Sequence, residues 1–520
     1  MKKLFVISFS IFLLILSLTL ISCGNDGGGS ASKDSGITEG TKWENVDFTG
    51  DKIRVSISVD QYDNKATTPA SERYVRGSDS AGSDEILNMV FDRNKKVRDM
   101  LGLDVEYMEV HHQFRDVQPY INEIVMSYNE GTSPDLFIND CFGTVRAAMD
   151  GSLYNVMEGY GDTSESFFDF QDEHGWYSEY MNGLTLNPAV KYVVAGDYFI
   201  DVLRAAHTLY INIDLFESYV GDIEANLYAE IKQGNWFYDD LSELATMGWE
   251  SASTNKTPRA QPDDICVGLA ADTLASYTFF YTSSVSMYTK EPDGSYSLPY
   301  DNQDYFAFAN EIINLMNEQS VCLTNEVGAT ADKRTSTMFA NQNVMMAEGM
   351  WISDLETPEI RAMTDRIGVT VYPKRNSGVK NYTTFVHDIA EIGSIPISTT
   401  NFRQVSAFLQ CVTEESSQMV KQYTEYAVKF KYNKDFATAD MIDIIYKSIG
   451  SPFEAVMTRL AFEQVVPFGT PSEMVNMRDK LNSCIFTGNN TFTNNYQASY
   501  NAYNEGIKAL VNRFNQAAQK

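Results

Sequence analysis

Residues suited to acid–base or metal chemistry are thinly spread along these 520 residues. The five histidines are His111, His112, His174, His207 and His387, and none is paired at the spacing with which a helix offers two ligands to a metal. Alternation along a strand would send the adjacent rings of His111 and His112 to opposite faces, which argues against a shared ion. The acidic run "EPDGSYSLPYDNQD" lacks the spacing of a calcium loop, and its Asp293-Gly294 pair predicts a turn joining two strands. Cys23, Cys141, Cys266, Cys322, Cys411 and Cys484 are scattered and show no CxxC spacing. Beyond Cys23 they read as small buried side chains with room for one unassigned bridge. The sequence contains no GxSxG, HExxH, GxxxxGK[ST] or dinucleotide-binding glycine pattern. No cofactor and no metal are expected. Glycoside hydrolysis needs only two carboxylates across a cleft. The 70 acidic residues supply many such pairs without singling one out, so a cell-surface glycoside hydrolase is the alternative enzyme reading.

Those acidic residues stand against 40 basic ones, a net charge of −30 that repels phosphate backbones, so nucleic acid is not an expected partner. Hydrophobic residues at 43% suffice for a core, and 12% aromatics argue against disorder.

The N-terminus has its own pattern. Lys2 and Lys3 precede an uncharged run from Leu4 to Ile21, and the small residue Ser22 precedes Cys23, the layout of an export signal with a cleavage point. A run of roughly 18 apolar residues could instead remain as an uncleaved membrane helix. The stretch Leu20-Ile21-Ser22-Cys23 resembles the bacterial lipoprotein signal, which implies that Cys23 is diacylated and becomes the mature N-terminus. "GNDGGGSASKDSG" then reads as a flexible spacer. The expected location is the cell membrane, lipid-anchored on the extracytoplasmic face.

Several elements must position any site. In "DKIRVSISVDQYDN", Ile53, Val55, Ile57 and Val59 alternate with polar residues and predict a strand running into Asp60 and Gln61. A polar insertion spans about 68 to 83. "DEILNMVFDRNKKVRDMLG" predicts a helix closed by Gly102, and "LDVEYMEV" predicts a strand. This strand–helix–strand unit points to an α/β sheet, whose ligands usually sit at the carboxyl ends of its strands. The pattern recurs before Asn139 and Asp140, which lie at the carboxyl end of the short strand Leu136 to Ile138. "KYVVAGDYFIDVLRAAHTLYINIDLFE" predicts two or three short strands, then a helix after Asp214. "NWFYDDLSELATMGWE" predicts a helix, "DRIGVTVYP" and "IAEIGSIPI" predict strands, and about 400 to 520 reads as mainly helical with a polar break near 486 to 496.

In this order, several stretches resemble the family-1 extracellular solute-binding proteins of ABC importers. They are "IRVSISV" and "FDRNKKVRDMLGLDVEY", then "GTSPDLFINDCFGTVRAAMDGSLYNV", "AGDYFIDVLRAAHTLYINIDLF", "GNWFYDDLSELA", "MFANQNVMMAEGMWISDL" and "RIGVTVYPKR". Asn235 replaces the family's threonine at one helix start, and Asn341-Gln342-Asn343 replaces a glycine region. The resemblance covers roughly residues 50 to 430. It implies an α/β, two-lobed periplasmic-binding-protein-like fold of type II with the ligand cleft between lobes. The expected organisation is a signal peptide at 1–22 and a tether at 23–45. The N-terminal lobe takes 46–155 plus about 389–440, and the C-terminal lobe 156–388 plus about 441–520.

By the same resemblance, Trp351 stands where the family stacks an aromatic on sugar rings, and Asn139 and Asp140 where it bonds hydroxyls. Helix capping is the structural alternative for the latter pair. Asp60 and Gln61 would face the cleft, and Tyr277 and Phe280 would form an aromatic wall from the second lobe. Trp236 reads as structural, Trp176 as equally surface or cleft, and His387-Asp388 as equally hinge or ligand contact. The implied partners are a small-molecule ligand, a sugar or oligosaccharide, and the membrane subunits of an ABC permease, with no catalysis. A peptide could take the place of the sugar, and a non-transport surface adhesin is a further reading of the whole chain.

Overall fold

The computed structural model describes residues 42–58, 71–82, 84–110, 133–162, 164–252, 258–272, 277–292, 295–324, 335–425, 438–465 and 477–519. Cys23, Asp60, Gln61, His111, His112 and the Asp293-Gly294 turn lie outside them. Residues up to Val46 form one unit, of which 42–46 are described and 42–45 form a turn, and Asp47–Lys520 form a second. Among the described residues, the sheets and helices all belong to the second unit.

Strand β1 (Lys52–Ser58) buries Ile53, Val55 and Ile57 as the alternation requires, but Ser56 is equally buried. β1 is a central strand flanked by two parallel neighbours, and such a sheet is packed on both faces, so alternate residues on either side are buried. Helix α1 (Glu85–Leu101) starts at Asp84, whose carboxylate accepts the N–H groups of Ile86 and Leu87. It stops at Gly102, where φ is 63°, a left-handed conformation that glycine adopts without strain. Its buried stripe includes Arg93, whose guanidinium donates to the carbonyls of Tyr74 and Val75 and lies 4.9 Å from the Tyr198 ring centre. Strand β2 (Asp104–Val110) follows, then β3 (Leu136–Asp140), with helix α2 (Cys141–Met149) beginning at once.

The chain next builds a second sheet from β4 (His207–Asn212), β5 (Val267–Asp272), β8 (Val321–Thr324), β9 (Val344–Trp351) and β10 (Ile367–Thr370). Between β4 and β5 lie helices α3 (Ile213–Tyr219) and α4 (Tyr238–Ala252). Helix α3 begins two residues earlier than the sequence suggests, because the Asn212 side chain accepts the Leu215 N–H and caps it there. The segment before β4 makes isolated pairings at Val194 and Gly196 and is broken by a helical turn, Asp201–Arg204, so it holds one true strand. After β5 come α5 (Thr278–Thr282), then the antiparallel pair β6 (Thr289–Lys290) and β7 (Tyr296–Ser297), as the turn at 293–294 predicted. Helices α6 (Gln303–Met316) and α7 (Thr335–Ala340) flank β8.

Strand β11 (Glu391–Ser394) returns to the first sheet, whose order is β11-β3-β1-β2 with β11 antiparallel and the rest parallel. The second sheet runs β10-β4-β9-β5-β8, with β4 antiparallel to both neighbours. Helix α8 (Phe402–Gln422) packs against α1. Among the described residues four helices close the chain: α9 (Thr438–Lys447), α10 (Phe453–Glu463), α11 (Met477–Thr487) and α12 (Phe492–Ala517). The predicted polar break falls at 488–491. Trp176 belongs to neither surface nor cleft: it is 1% exposed, and its indole donates to Gln410 on α8 at 3.0 Å. Trp236 is structural as expected, donating to the Val371 carbonyl. Cys141, Cys266, Cys322, Cys411 and Cys484 are all free and buried. Among the described residues no helix is long and apolar enough to cross a membrane.

Candidate functional site

Two antiparallel crossing segments join the sheets. Ala206 pairs with Val386, the His207 N–H donates to the Phe385 carbonyl, and the His387 N–H donates to the Ala205 carbonyl. One segment leads into β4, and the other leads to β11. Residues 205–207 and 385–387 therefore form the bridge between the sheets, and 384 is paired on its far side with Ile449.

Beside this bridge ends β9. Its last residue, Trp351, lies directly across the strand pair from His207. Among the bonds that hold it, the backbone N–H donates to Asp354 at 2.8 Å, the carbonyl accepts the Tyr210 hydroxyl at 2.6 Å, and the indole N–H donates to His207 Nε2 at 3.1 Å. The indole is half-buried and meets the His387 ring at 4.8 Å between centres. His387 and His207 are stacked within 12° at 5.7 Å, and Phe385 lies 4.9 Å from His207. Tyr281, also half-buried, packs on Phe385 at 4.4 Å.

Charged groups adjoin these rings. His387 Nδ1 stands 3.1 Å from Asp388 Oδ1, and the other oxygen of Asp388 accepts Arg459 Nη1 at 3.0 Å. The Arg459 guanidinium sits 4.0 Å from the centre of the Phe142 ring, at the start of α2. Helix α10 thus brings a cation from the C-terminal region to the carboxyl end of β3. Burial pushes the Tyr281 phenol well above its usual value, so it is a neutral donor at pH 7. The group offers flat apolar faces, an imidazole, a phenol and a neutralised ion pair. Such a set suits a neutral ligand rich in hydroxyls, which needs stacking area and both donors and acceptors.

The remaining residues singled out in the sequence fall into four groups. Asn139 and Asp140 do end β3, but both are 2% exposed, and Asp140 caps α2 by accepting the Gly143 N–H at 2.7 Å. In this conformation Asp140 does the structural task named as its alternative. Tyr277 and Phe280 do not form a wall: they are 4% and 2% exposed, stacked on each other at 4.8 Å within the interior, where Tyr277 bonds Tyr305. Their segment reaches the site through Tyr281 instead, which apolar spacing alone could not distinguish from its neighbours. Asp60 and Gln61 fall outside the described residues. Arg459 and Phe142 carried no signal in the sequence, since 317 positions part them and only folding brings them together. His387-Asp388 combines a bridging backbone with side chains beside Trp351. No cluster of three or more potential metal ligands occurs among the described residues.

No protein-family model and no curated protein matches the chain. Solved structures do. A cyclo/maltodextrin-binding protein complexed with maltotetraose superposes with a TM-score of 0.51 at 13% identity, covering 88% of this chain and 96% of that one. An extracellular solute-binding protein from Staphylococcus aureus in complex with maltose gives 0.51 at 11% identity, covering 90% and 98%. An uncharacterized protein from Listeria monocytogenes EGD-e gives 0.50 at 11%, covering 88% and 100%. The chain therefore has the two-lobed type II solute-binding fold expected from its sequence.

Proposed function

We propose that this chain, folded as a two-lobed solute-binding protein, is the receptor of an ABC importer for a carbohydrate or oligosaccharide. The observation that carries this reading is Trp351, a half-buried indole at the end of β9, beside the segments that bridge the two sheets. Lobes joined by crossing segments can close on a ligand, and ligand contacts made only in the closed form shift the population toward it. A permease can then read the closed form as loaded. The S. aureus and maltodextrin-binding neighbours hold maltose and maltotetraose, which supports sugar as the class of ligand. In this reading the protein performs no reaction of its own. Diacylated Cys23 anchors it on the extracytoplasmic face, and the spacer after it keeps the receptor concentrated near its permease.

A thermal-shift screen of the chain from Gly24 onward, against sugars, oligosaccharides and peptides, tests the proposal. Ligand at a hundred times its dissociation constant adds about 2.7 kcal/mol to stability. A sugar that stabilises the protein and is recovered intact supports the reading. Turnover of that sugar would replace it with the hydrolase, and stabilisation by peptides alone would replace the ligand class.

A further inference from the structure

We infer that His207, which lies inside the protein, is a positioning residue that fixes the plane of the Trp351 indole. Its effect on affinity rests on the receptor function proposed for the chain; its effect on orientation does not.

The chemistry of the two rings sets the direction of the bond between them. Indole nitrogen only donates, so the 3.1 Å contact between Trp351 Nε1 and His207 Nε2 requires Nε2 to be the acceptor. The imidazole proton then sits on Nδ1, which faces the Thr278 hydroxyl at 3.4 Å. Thr278 opens α5, His207 opens β4 and Trp351 closes β9, so three elements of the second sheet's lobe meet in one hydrogen-bonded line. His207 is 4% exposed, with its ring stacked on His387 and packed on Phe385. It has no freedom to turn without disturbing the bridge between the sheets.

Trp351 differs. Its peptide is held at both ends, by Asp354 and by Tyr210, but those bonds fix the backbone and leave the rotation of the side chain to its ring contacts. Among these, the bond to His207 constrains the ring through its polar edge, and the His387 ring at 4.8 Å adds an apolar contact. A stacking platform contributes to binding only when its face is presented in the ligand's plane, and pre-setting that angle removes an ordering cost from the bound state.

The test uses 15N labelling of the whole protein and the variants His207→Gln, His207→Leu, Trp351→Phe and Trp351→Ala. Loss of one indole resonance in Trp351→Phe assigns Trp351. In the native protein the His207 Nε2 shift is expected to be that of an unprotonated, hydrogen-bonded nitrogen. A proton on Nε2 would overturn the inference, and this holds even if His207→Leu does not fold. Glutamine keeps an acceptor, so His207→Gln should leave the Trp351 indole resonance close to native, whereas His207→Leu should displace it. Unchanged resonance in His207→Leu would also overturn the idea. With maltotetraose as probe, His207→Leu should bind about tenfold more weakly, the scale of one neutral hydrogen bond, and His207→Gln within about threefold of native. Equal affinities in the two variants would remove the role in binding. Absence of maltotetraose binding by the native protein, or undiminished binding by Trp351→Ala, would instead strike the receptor reading, while the nitrogen shifts still decide orientation.

Discussion

Arg204 and Glu356 form a two-pronged ion pair inside the protein: Nε meets one carboxylate oxygen at 3.0 Å and Nη2 the other at 3.2 Å. Arg204 ends the helical turn before β4, and Glu356 follows Trp351 by five residues. The same carboxylate accepts the Tyr423 hydroxyl at 2.5 Å and that of Tyr74 at 3.3 Å, while Arg204 also reaches Asp201 at 2.8 Å and lies over the Tyr74 ring. Tyr423 caps the C-terminus of α8 and Tyr74 packs beside α1, so Glu356 fastens the end of β9 to the first sheet's side of the molecule.

Removing one partner of such a pair leaves the other buried without its counter-charge. Glu356→Gln is therefore expected to lower stability by about 3 kcal/mol. Chemical denaturation at pH 7 measures it; a loss under about 1 kcal/mol would show that Arg204 finds new partners. Burial pushes the Glu356 carboxyl up, but Arg204 and Tyr423 outweigh it, and the net shift is below the ordinary value of 4.5. A depressed carboxylate stabilises the fold above its unfolded value and loses that contribution as pH falls through the folded one. The variant and native protein should thus converge in stability below pH 4.5.

Glu454 has the opposite sign. Burial pushes it up to about 7, although Ser286, Met287 and Tyr288 donate to it. The folded form holds its proton longer than the unfolded one, so stability attributable to this group falls as pH rises from 4.5 to 7. Relative to native protein, Glu454→Gln should gain about 2 kcal/mol between pH 5 and pH 8. Parallel stability curves for the two proteins over that range would contradict the shift.

Trp351→Ala should weaken sugar binding at least about tenfold and leave a cooperative unfolding transition, because the ring is half-buried and its backbone is anchored independently. Tyr281→Phe keeps the stacking area and removes one donor, so a smaller loss is expected. Titration calorimetry with a sugar found in the screen separates the two. Equal affinity in Trp351→Ala would take the indole out of the site.

Gly506 on α12 meets α10 so closely that an added Cβ would stand 2.1 Å from the Ala461 carbonyl oxygen. Gly506→Ala must part the two helices and should cost about 2 kcal/mol. The same helix α10 carries Arg459 to Phe142, so the variant should also bind ligand more weakly. Native stability in Gly506→Ala would show that the C-terminal helices can shift apart without cost.

Cys23→Ala should move the protein from the membrane fraction to the soluble one. Fractionation with detergent phase partitioning reads this directly. A variant still found in the membrane fraction would favour the uncleaved helix over the lipid.

The sequence by itself determined the elements, because their signals are local. Period-two alternation marked β1, Gly102 closed α1, and the Asp293-Gly294 pair pointed to two strands on either side of it, which pair as β6 and β7. The order of these elements, through resemblance, also pointed to the two-lobed fold. Where a side chain is set by its neighbours across the fold, the local signal failed. Ser56 is buried because the parallel sheet around β1 is packed on both faces, which no alternation reveals. Tyr277, Phe280 and Tyr281 share one short aromatic run, and only packing against Tyr305 and Phe385 decides which of them is interior and which half-exposed. Trp351 was legible as a residue type at a strand end, but its bond to His207 joins positions 144 apart. Burial and pairing are properties of contacts between distant segments, and the chain acquires them only when the two sheets and the C-terminal helices have come together.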